Sequence, residues 1–158
     1  HYGPVYLRFE RPKVAKFTPL NQHFEIGKGL LLKPGSDVTI IATGHLVWEA
    51  LQAAEVLSSQ SINAEVINIH TIKPLDRSMI IESVTKTKCV VTAEEHNVFG
   101  GLGESVAGLL AQELPSPQEY VAMQDSFGES GTPAQLMNKY GLNSEAIVDK
   151  TKKVLLRK

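Results

Sequence analysis

Acidic, histidine and glycine residues are concentrated in one stretch of the chain, from residue 94 to residue 103. Glu94, Glu95 and His96 follow an apolar run, at the point where a strand is expected to end. Carboxylates and an imidazole in such a position can transfer protons. They can equally cap a helix, bridge two subunits or face solvent, and no partner group for catalysis accompanies them. The stretch is therefore a candidate site whose chemistry the sequence leaves open.

Three glycines, Gly100, Gly101 and Gly103, join this strand to a following helix. Backbone amides in such a turn can bind an anion, helped by the helix dipole. The dinucleotide-binding fingerprint requires a further glycine where this chain has Val106. Glu104, in the first helical turn, would also repel a phosphate. A tight turn with close backbone packing is the favoured interpretation.

Two of the five histidines, His45 and His70, also fall at expected strand ends. Each is interpreted as a loop or interface residue rather than as a catalyst. The histidines show no metal-ligand spacing, and Cys89 is the only cysteine, so the sequence predicts neither a metal site nor an internal disulfide. Residues 127–131 lack the spacing of a nucleophile elbow, which argues against a serine hydrolase.

Two arginines, Arg8 and Arg11, flank the end of the first expected strand. Alternation places Arg8 on the face opposite Leu7 and Phe9, and Arg11 lies just beyond the strand. A guanidinium at a strand end suits bidentate binding of a phosphate or a carboxylate. A surface ion pair explains the two residues equally well.

Strands alternate with helices in the part of the chain that must position these residues. Apolar runs at residues 37–42, 64–69 and 89–93 predict strands, and helical spacing over residues 46–57 and 79–86 predicts the helices between them. Such alternation predicts right-handed crossovers and a sheet covered on both faces. We therefore predict a three-layer α/β/α fold with a mostly parallel sheet of about five strands. Any site is expected at the carboxyl ends of the strands.

The flanking segments predict further elements of the same domain. Residues 27–35 predict an edge strand, for which antiparallel pairing is one option, and a turn that forms a hairpin with the first core strand. A helix over residues 105–114, a strand over residues 119–123 and two capped helices after Thr132 and Asn143 complete the domain.

The beginning of the chain has a different character. Residues 5–9 alternate and favour a strand, which must stop before Pro12 because proline has no amide hydrogen to donate. Residues 13–23 show no periodicity and predict a linker. Residues 1–12 are therefore expected to belong to a different structural unit from residues 24–158.

Composition places the chain among globular proteins. Its 158 residues are 42% hydrophobic and 21% charged, with a formal net charge of -1. Neither nucleic acid nor an anionic membrane is expected as a partner. No apolar run approaches the roughly 20 residues of a membrane span, and no signal-peptide pattern opens the chain, so a cytoplasmic location is expected. The missing initiator methionine suggests a fragment or a processed product.

Five motifs occur in one order along nearly the whole chain. They are Gly3-Pro-Val-Tyr-Leu-Arg8 with Arg11, Ile26-Gly-Lys-Gly29, Thr39-Ile-Ile-Ala-Thr-Gly44, Ile69-His-Thr-Ile-Lys-Pro-Leu-Asp76, and Val91-Thr-Ala-Glu-Glu95 with the glycine turn. This pattern resembles the carboxyl-terminal domain of the thiamine-diphosphate enzymes of the transketolase group, which includes 1-deoxyxylulose-5-phosphate synthase and the beta subunits of pyruvate-type dehydrogenases. Residues 127–131 with Lys139-Tyr-Gly-Leu142 look most like transketolase, whereas residues 71–76 look more like the other two branches. The best fit is the carboxyl-terminal section of a split or short transketolase.

The resemblance implies that this domain does not hold the cofactor. In the family, thiamine diphosphate and a divalent cation, Mg²⁺ or Ca²⁺, lie between two preceding domains at a dimer interface. The family's Gly-Asp-Gly plus Asn metal motif is absent from this sequence, and its catalytic glutamate lies upstream. Residues 1–12 look like the last strand and exit of the missing pyrimidine-binding domain. Arg11 matches an arginine that binds the substrate phosphate, whereas His45 stands where transketolases commonly have serine.

The resemblance therefore implies part of an enzyme. The full protein would transfer a two-carbon ketol unit between sugar phosphates, and an amino-terminal section with the cofactor-binding domains would be the partner, in a homodimer or a two-subunit assembly. This chain would contribute dimer contacts and Arg11 and would be inactive alone. The alternatives are a synthase or dehydrogenase beta-subunit domain, or a module whose strand-end loops bind a regulatory ligand or a partner.

Overall fold

The computed structural model describes residues 1–9 and 13–158. This part of the chain forms five strands and five helices, and none of these helices is long and apolar enough to cross a membrane. In chain order they are β1 Leu30–Lys33, β2 Val38–Ala42, α1 Leu46–Ser59, β3 Ala64–Asn68, α2 Arg77–Thr87, β4 Val90–Asn97, α3 Leu102–Glu113, β5 Gln118–Met123, α4 Pro133–Lys139 and α5 Ser144–Leu155.

The strands form one mostly parallel sheet in the order β1-β3-β2-β4-β5. Strand β1 pairs with β3 in the antiparallel direction, and the other neighbouring pairs are parallel. The predicted α/β fold with an antiparallel edge strand is confirmed. The predicted hairpin between the edge strand and the first core strand is wrong, because β1 pairs with β3 and not with β2. The intervening turn passes beneath the start of β3, where the amides of Ser36 and Asp37 both donate to the Asn63 carbonyl, at 3.0 Å each.

Helices cover both faces of the sheet, which gives three layers. Side chains of a strand alternate between the two faces, and β2 shows this directly. Ile40 and Ala42 pack in a core with α1 and α5, whereas Ile41 packs with α2 and α3. The chain leaves β2 toward β3 on one side and later returns to β4 on the other side. The loops after β2 and β4 therefore diverge, as at the ligand-binding crevice of open α/β sheets.

The first nine residues lie outside this domain core. They are exposed and form no helix or strand, so the strand expected at residues 5–9 is not formed in this chain. The physical reason is that an extended segment needs a neighbouring strand to satisfy its backbone groups. Their assignment to a preceding domain, and the boundary at residues 13–23, stay predictions. Phe17, within the expected linker, packs against the core on the side of α1 and α5.

Candidate functional site

The candidate residues of the sequence lie where the parallel strands end, which we call the carboxyl end of the sheet. His45 begins the first turn of α1 after β2, and His70 follows β3 by two residues. Glu94, Glu95 and His96 lie in the last part of β4, which ends at Asn97, four residues beyond the expected end. Parallel strands thus bring the candidates to one edge of the domain, but each has different surroundings.

Glu94 caps helix α3 from the neighbouring strand. Its carboxylate is 3% exposed, and its two oxygens accept hydrogen bonds from the amides of Leu102 and Gly103, each at 2.7 Å. These amides belong to the first turn of the helix, which has no side-chain cap of its own. The helix therefore begins at Leu102, three residues before the expected start. The sequence left several roles open for Glu94, and in the structure Glu94 caps a helix.

The glycine turn is built for close packing. At Gly101, a Cβ atom would overlap the Glu94 carboxylate, and at Gly103 it would lie 2.5 Å from the Tyr120 ring. Gly100 has φ +78°, a conformation that favours glycine. The amide of Gly100 donates to Glu104 at 2.6 Å.

Three amides of this turn are therefore bonded to carboxylates. An incoming phosphate would have to displace one or both negative charges, so the turn is not an anion site.

Glu95 and His96 are the more accessible members of the cluster. Glu95 is half-buried, and His96 is exposed and donates from Nδ1 to the Asn97 carbonyl at 2.8 Å. The same Asn97 binds Asp125 through its side chain at 3.1 Å, which ties the loop after β4 to the loop after β5. The accessible polar groups thus belong to a loop with a defined conformation. Their predicted interface role stays a prediction.

His45 borders a cleft of about 470 Å³ between α1 and the two last helices. Glu49, one turn further along α1, also lines it, and its carboxylate accepts the amide of Ser144 at 2.8 Å. That bond joins α1 to the first turn of α5, where Asn143 caps Ala146 at 3.0 Å. Glu49, one of the two acidic residues that line the cleft, is thereby used for a helix contact.

His70 is a half-buried imidazole with one nitrogen unsatisfied. Its Nδ1 lies 2.9 Å from the hydroxyl of Thr71, whereas its Nε2 is buried without a hydrogen-bond partner. The Phe24 ring packs on it with the ring centroids 4.5 Å apart. Burial lowers the pKa of His70, so the neutral imidazole is favoured. His70 is not placed for catalysis together with Glu94 or His96, which lie beyond β2 on another strand.

The arginine predicted to bind phosphate, Arg11, lies outside the described residues. Arg8, the other arginine considered, is exposed. The phosphate-binding role of Arg11 therefore stays a prediction. Within the described part of the chain, no three His, Cys, Asp or Glu side chains are grouped as a metal site requires.

A buried polar network, missed by the sequence analysis, lies at the opposite edge, where the strands begin. Glu65, 2% exposed, accepts from Ser83 at 2.5 Å and forms an ion pair with Lys86. Ser83 in turn shares a hydrogen bond of 2.6 Å with Thr39, which also bonds Thr87 at 2.6 Å. The available signal was a glutamate inside an apolar strand, because a buried charge requires partners.

A second buried carboxylate lies at the start of β5. Glu119, 6% exposed, is surrounded by Lys150 at 3.2 Å, Lys153 at 3.0 Å and Arg157 at 2.7 Å. Burial raises the pKa of Glu119, but the hydrogen bonds from Lys153 and Lys150 outweigh it and lower the pKa. The basic end of α5 therefore binds the sheet through this residue.

Comparison with known proteins gives a consistent result. A family model described as "Transketolase, C-terminal domain" matches residues 27–147. The 6-deoxy-6-sulfo-D-fructose transketolase subunit SqwH of Clostridium sp. (strain MSTE9) is 46% identical over 158 residues, which are 100% of this chain and 49% of that protein. A putative transketolase C-terminal section of Methanocaldococcus jannaschii is 42% identical over 92% of this chain and 46% of its own length. The chain thus spans about half the length of these two relatives.

Other relatives are longer, and the solved structures agree in fold. 1-Deoxy-D-xylulose-5-phosphate synthase 1 of Geobacter sulfurreducens is 39% identical across 100% of this chain, which is 25% of that enzyme. A structure described as a split gene transketolase, inactive beta4 tetramer, superimposes with a TM-score of 0.88 at 44% identity, over 90% of this chain and 47% of its own. A transketolase mutant from Pichia stipitis, at 20% identity and a TM-score of 0.61 over 83% of this chain and 18% of its own, shares the fold.

Proposed function

The chain belongs to the transketolase family as a carboxyl-terminal domain, and we propose that it is this domain of an enzyme that transfers a two-carbon ketol unit between sugar phosphates. The observation that carries the proposal is the 46% identity to a transketolase subunit across 100% of this chain. Its share of the work is subunit contact and binding of the substrate's anionic end. The partner is an amino-terminal section that carries the cofactor-binding domains, in a homodimer or a two-subunit assembly.

The polar groups at the carboxyl end support a contributory role. Glu94 is bonded to the amides of α3, and Glu49 is bonded to α5. This supports the proposal that the catalytic groups of ketol transfer come from the partner section.

The described residues do not fit thiamine diphosphate, the cofactor of this family, or its divalent cation. A diphosphate needs free amides or cations, but the glycine turn already binds Glu94 and Glu104. A Mg²⁺ or Ca²⁺ ion needs several oxygen ligands, and the described ranges contain no such group of side chains. We therefore propose that the partner section holds the cofactor.

The substrate end that this chain contacts is proposed to be an oxyanion. Arg11 can bind a phosphate through two parallel hydrogen bonds, and a sulfonate offers similar oxygens. The names of two relatives indicate different anionic groups, because one names a sulfo-sugar and the other a sugar phosphate. We propose a sugar phosphate as the substrate, and a comparison of fructose 6-phosphate with its 6-deoxy-6-sulfo analogue tests this choice.

The central test is a reconstitution. The isolated chain should show no ketol transfer, and activity should appear when it is joined to the section with the cofactor-binding domains. Transfer by the isolated chain would contradict the proposal, as would a full protein that lacks ketol transfer.

Arg11→Gln in the full protein should raise KM for a phosphorylated sugar about tenfold or more while kcat changes little, because the residue binds a part of the substrate that does not react. Lys16→Gln, which removes another positive charge from the same segment, is the matched control. Equal KM values for both variants would remove Arg11 from the binding site.

A second candidate function is a 1-deoxy-D-xylulose-5-phosphate synthase domain. The observation in its favour is the 39% identity across 100% of the chain. Formation of 1-deoxy-D-xylulose 5-phosphate by the full protein, without ketol transfer, would establish this alternative.

A further inference from the structure

Five large apolar side chains are exposed around the carboxyl end of the sheet. Phe24 is 61% exposed, Ile26 44%, Ile72 37%, Phe99 59% and Phe127 98%. They come from four separate segments, namely the approach to β1 and the loops after β3, β4 and β5. We call this set the carboxyl-end surface.

The opposite edge of the sheet does not have this character. In the described residues, the loops that precede β2, β3, β4 and β5 contain none of the exposed large apolar side chains. Two exposed apolar side chains lie toward that edge, Val56 in the last turn of α1 and Leu156 just after α5, where the neighbouring Arg157 bonds the Gln118 carbonyl at the start of β5. Apolar exposure is therefore concentrated on one edge, and such concentration marks interaction sites.

Hydrogen bonds fix the backbone of the two loops that carry Phe99 and Phe127. The Phe99 amide donates to the Asn97 side chain at 2.9 Å, and the Val98 amide donates to the Met123 carbonyl at 2.8 Å. The carbonyl of Phe127 accepts from the Tyr140 hydroxyl at 3.2 Å. Aromatic side chains on defined loops lose little conformational entropy on binding, which suits them as anchors of an interface.

The segment that precedes β1, residues 13–24, also lies at this surface. Lys13 lines the cleft beside His45, at the end of β2, and Phe24 packs on His70, at the end of β3. The segment between them therefore crosses the carboxyl end of the sheet. Lys13, the first residue of the described range 13–158, therefore lies on this side of the domain. Residues 1–9, exposed and rich in aromatic side chains, lie just before it.

One polar atom on this side also lacks a contact. The Nε2 of His70 is buried beneath its neighbours without a hydrogen-bond partner, and Phe24, which packs on the same ring, is more than half exposed. An unsatisfied buried polar atom is unfavourable. A polypeptide that packs on Phe24 would come close to this ring and could supply the missing hydrogen-bond partner.

We propose that the carboxyl-end surface is the docking site for the amino-terminal section that carries the cofactor-binding domains, with Phe99 and Phe127 as its aromatic anchors. This inference rests on the proposed function, which requires such a section. The entry of the chain at the same edge selects this section as the occupant rather than a second copy of the domain.

The test uses the full protein with Phe99→Ser, Phe127→Ser and the double variant. Leu156→Ser, at the other edge, and Val56→Ser, 46% exposed on α1, are the matched controls. Where the two sections are separate polypeptides, sedimentation and the concentration dependence of activity give their Kd. The double variant should raise this Kd at least tenfold, and the controls should leave it within twofold. Where the sections form one chain, the double variant should separate a single thermal transition into two.

Three outcomes overturn the inference. The first is a double variant that associates and unfolds like the controls. The second is a double variant that no longer self-associates but binds the amino-terminal section normally. The third is equally fast amide hydrogen exchange at residues 97–101 in the full protein and in this chain alone. Each can occur while the unsubstituted full protein catalyses ketol transfer, so the failure of this inference is distinguishable from the failure of the proposed function.

Discussion

The two edges of the sheet at which the strands begin and end differ in how completely their groups are paired and covered. Where the strands begin, Glu65 and Glu119 are buried and fully surrounded by hydroxyl or cationic partners from α2 and α5. Where the strands end, Phe99 and Phe127 face solvent and His70 keeps one nitrogen unsatisfied. The first edge is complete in this chain alone. The second leaves apolar side chains exposed, which is why we propose it as the docking site.

Each edge contains a buried glutamate, and the two glutamates have different partners. Glu94 at the carboxyl end and Glu65 at the amino end are both almost fully buried. Glu65 is neutralised by an ammonium group, whereas Glu94 is bonded to backbone amides of α3. Buried carboxylates therefore have a structural role at both edges of the sheet. The two edges differ in their exposed apolar area and not in buried charge.

The largest effect is expected at the amino end, where the turn before β2 passes under β3. A Cβ at Gly35 would lie 2.7 Å from the Ala64 carbonyl oxygen and would overlap the neighbouring backbone, which cannot move independently. Gly35→Ala should lower the free energy of unfolding by about 3 kcal/mol, measured by urea denaturation.

Gly108→Ala is the matched control, because nothing lies within 4 Å of its Cβ position in α3. This helix substitution should stabilise the protein by about 0.5–1 kcal/mol. If Gly35→Ala were as stable as the unsubstituted protein, the packing of that turn would be wrong.

Glu94→Gln should cost about 2 kcal/mol, because one amide of α3 would then face the NH₂ group of the glutamine instead of an oxygen. Faster hydrogen exchange at the Leu102 and Gly103 amides should accompany the loss. Glu104→Gln, exposed in the same turn, should stay within about 0.5 kcal/mol. Equal stability of the two variants would show that Glu94 does not cap the helix.

The pH dependence of stability should report on Glu65. Burial raises its pKa, but the bonds from Lys86, Ser83 and Gly35 outweigh it and lower the pKa below the ordinary value of 4.5. Its stabilising contribution is therefore fully present above pH 4.5 and is lost as the pH falls through the lowered folded-state value.

Lys86→Gln should raise that pKa and move the acid-unfolding midpoint to higher pH. At pH 7 it should cost only about 1 kcal/mol, since the Lys86 side chain is 49% exposed and its ion pair is screened. Lys152→Gln, exposed on α5, is the control for the lost charge. Identical acid midpoints for the two variants would contradict the assigned ion pair.

The smallest effect is expected at the carboxyl-end surface. In the isolated chain, Phe99→Ser should change the free energy of unfolding by less than about 0.5 kcal/mol, because the ring is already exposed. Leu102→Ala, three residues away but fully buried, should cost about 3 kcal/mol. A large loss for Phe99→Ser would mean that this ring supports its own domain, and the contrast between the edges would disappear.

Local signals predicted much of this fold. Alternating strands and helices predicted the parallel sheet, and the caps at Thr132 and Asn143 were predicted because each cap bonds an amide only three residues away. The boundaries of β4 and α3 were wrong by several residues. Their limits depend on Glu94, which bonds amides eight and nine residues further along the chain.

Non-local pairing explains what the sequence did not reveal. The partner of β1 is β3, more than thirty residues away, and the hairpin prediction assumed the nearest strand. Glu65 and Glu119 obtain their partners from helices that periodicity alone does not place against them. At the candidate site, the strand-end positions of His45, His70 and Glu94 followed from the parallel sheet. Their differing roles depended on contacts between elements, and the role of Arg11 stays a prediction.

The bond between Glu49 and the Ser144 amide joins segments 95 residues apart in the chain. On the ribosome, α1 emerges long before α5, so the part of α1 that packs against α5 stays uncovered until α5 has been synthesised. Its packing on β2, β3 and β4 can form earlier, because those strands emerge first. Emergence of α5, rather than synthesis of the sheet, would then set the moment at which this side of the domain becomes native.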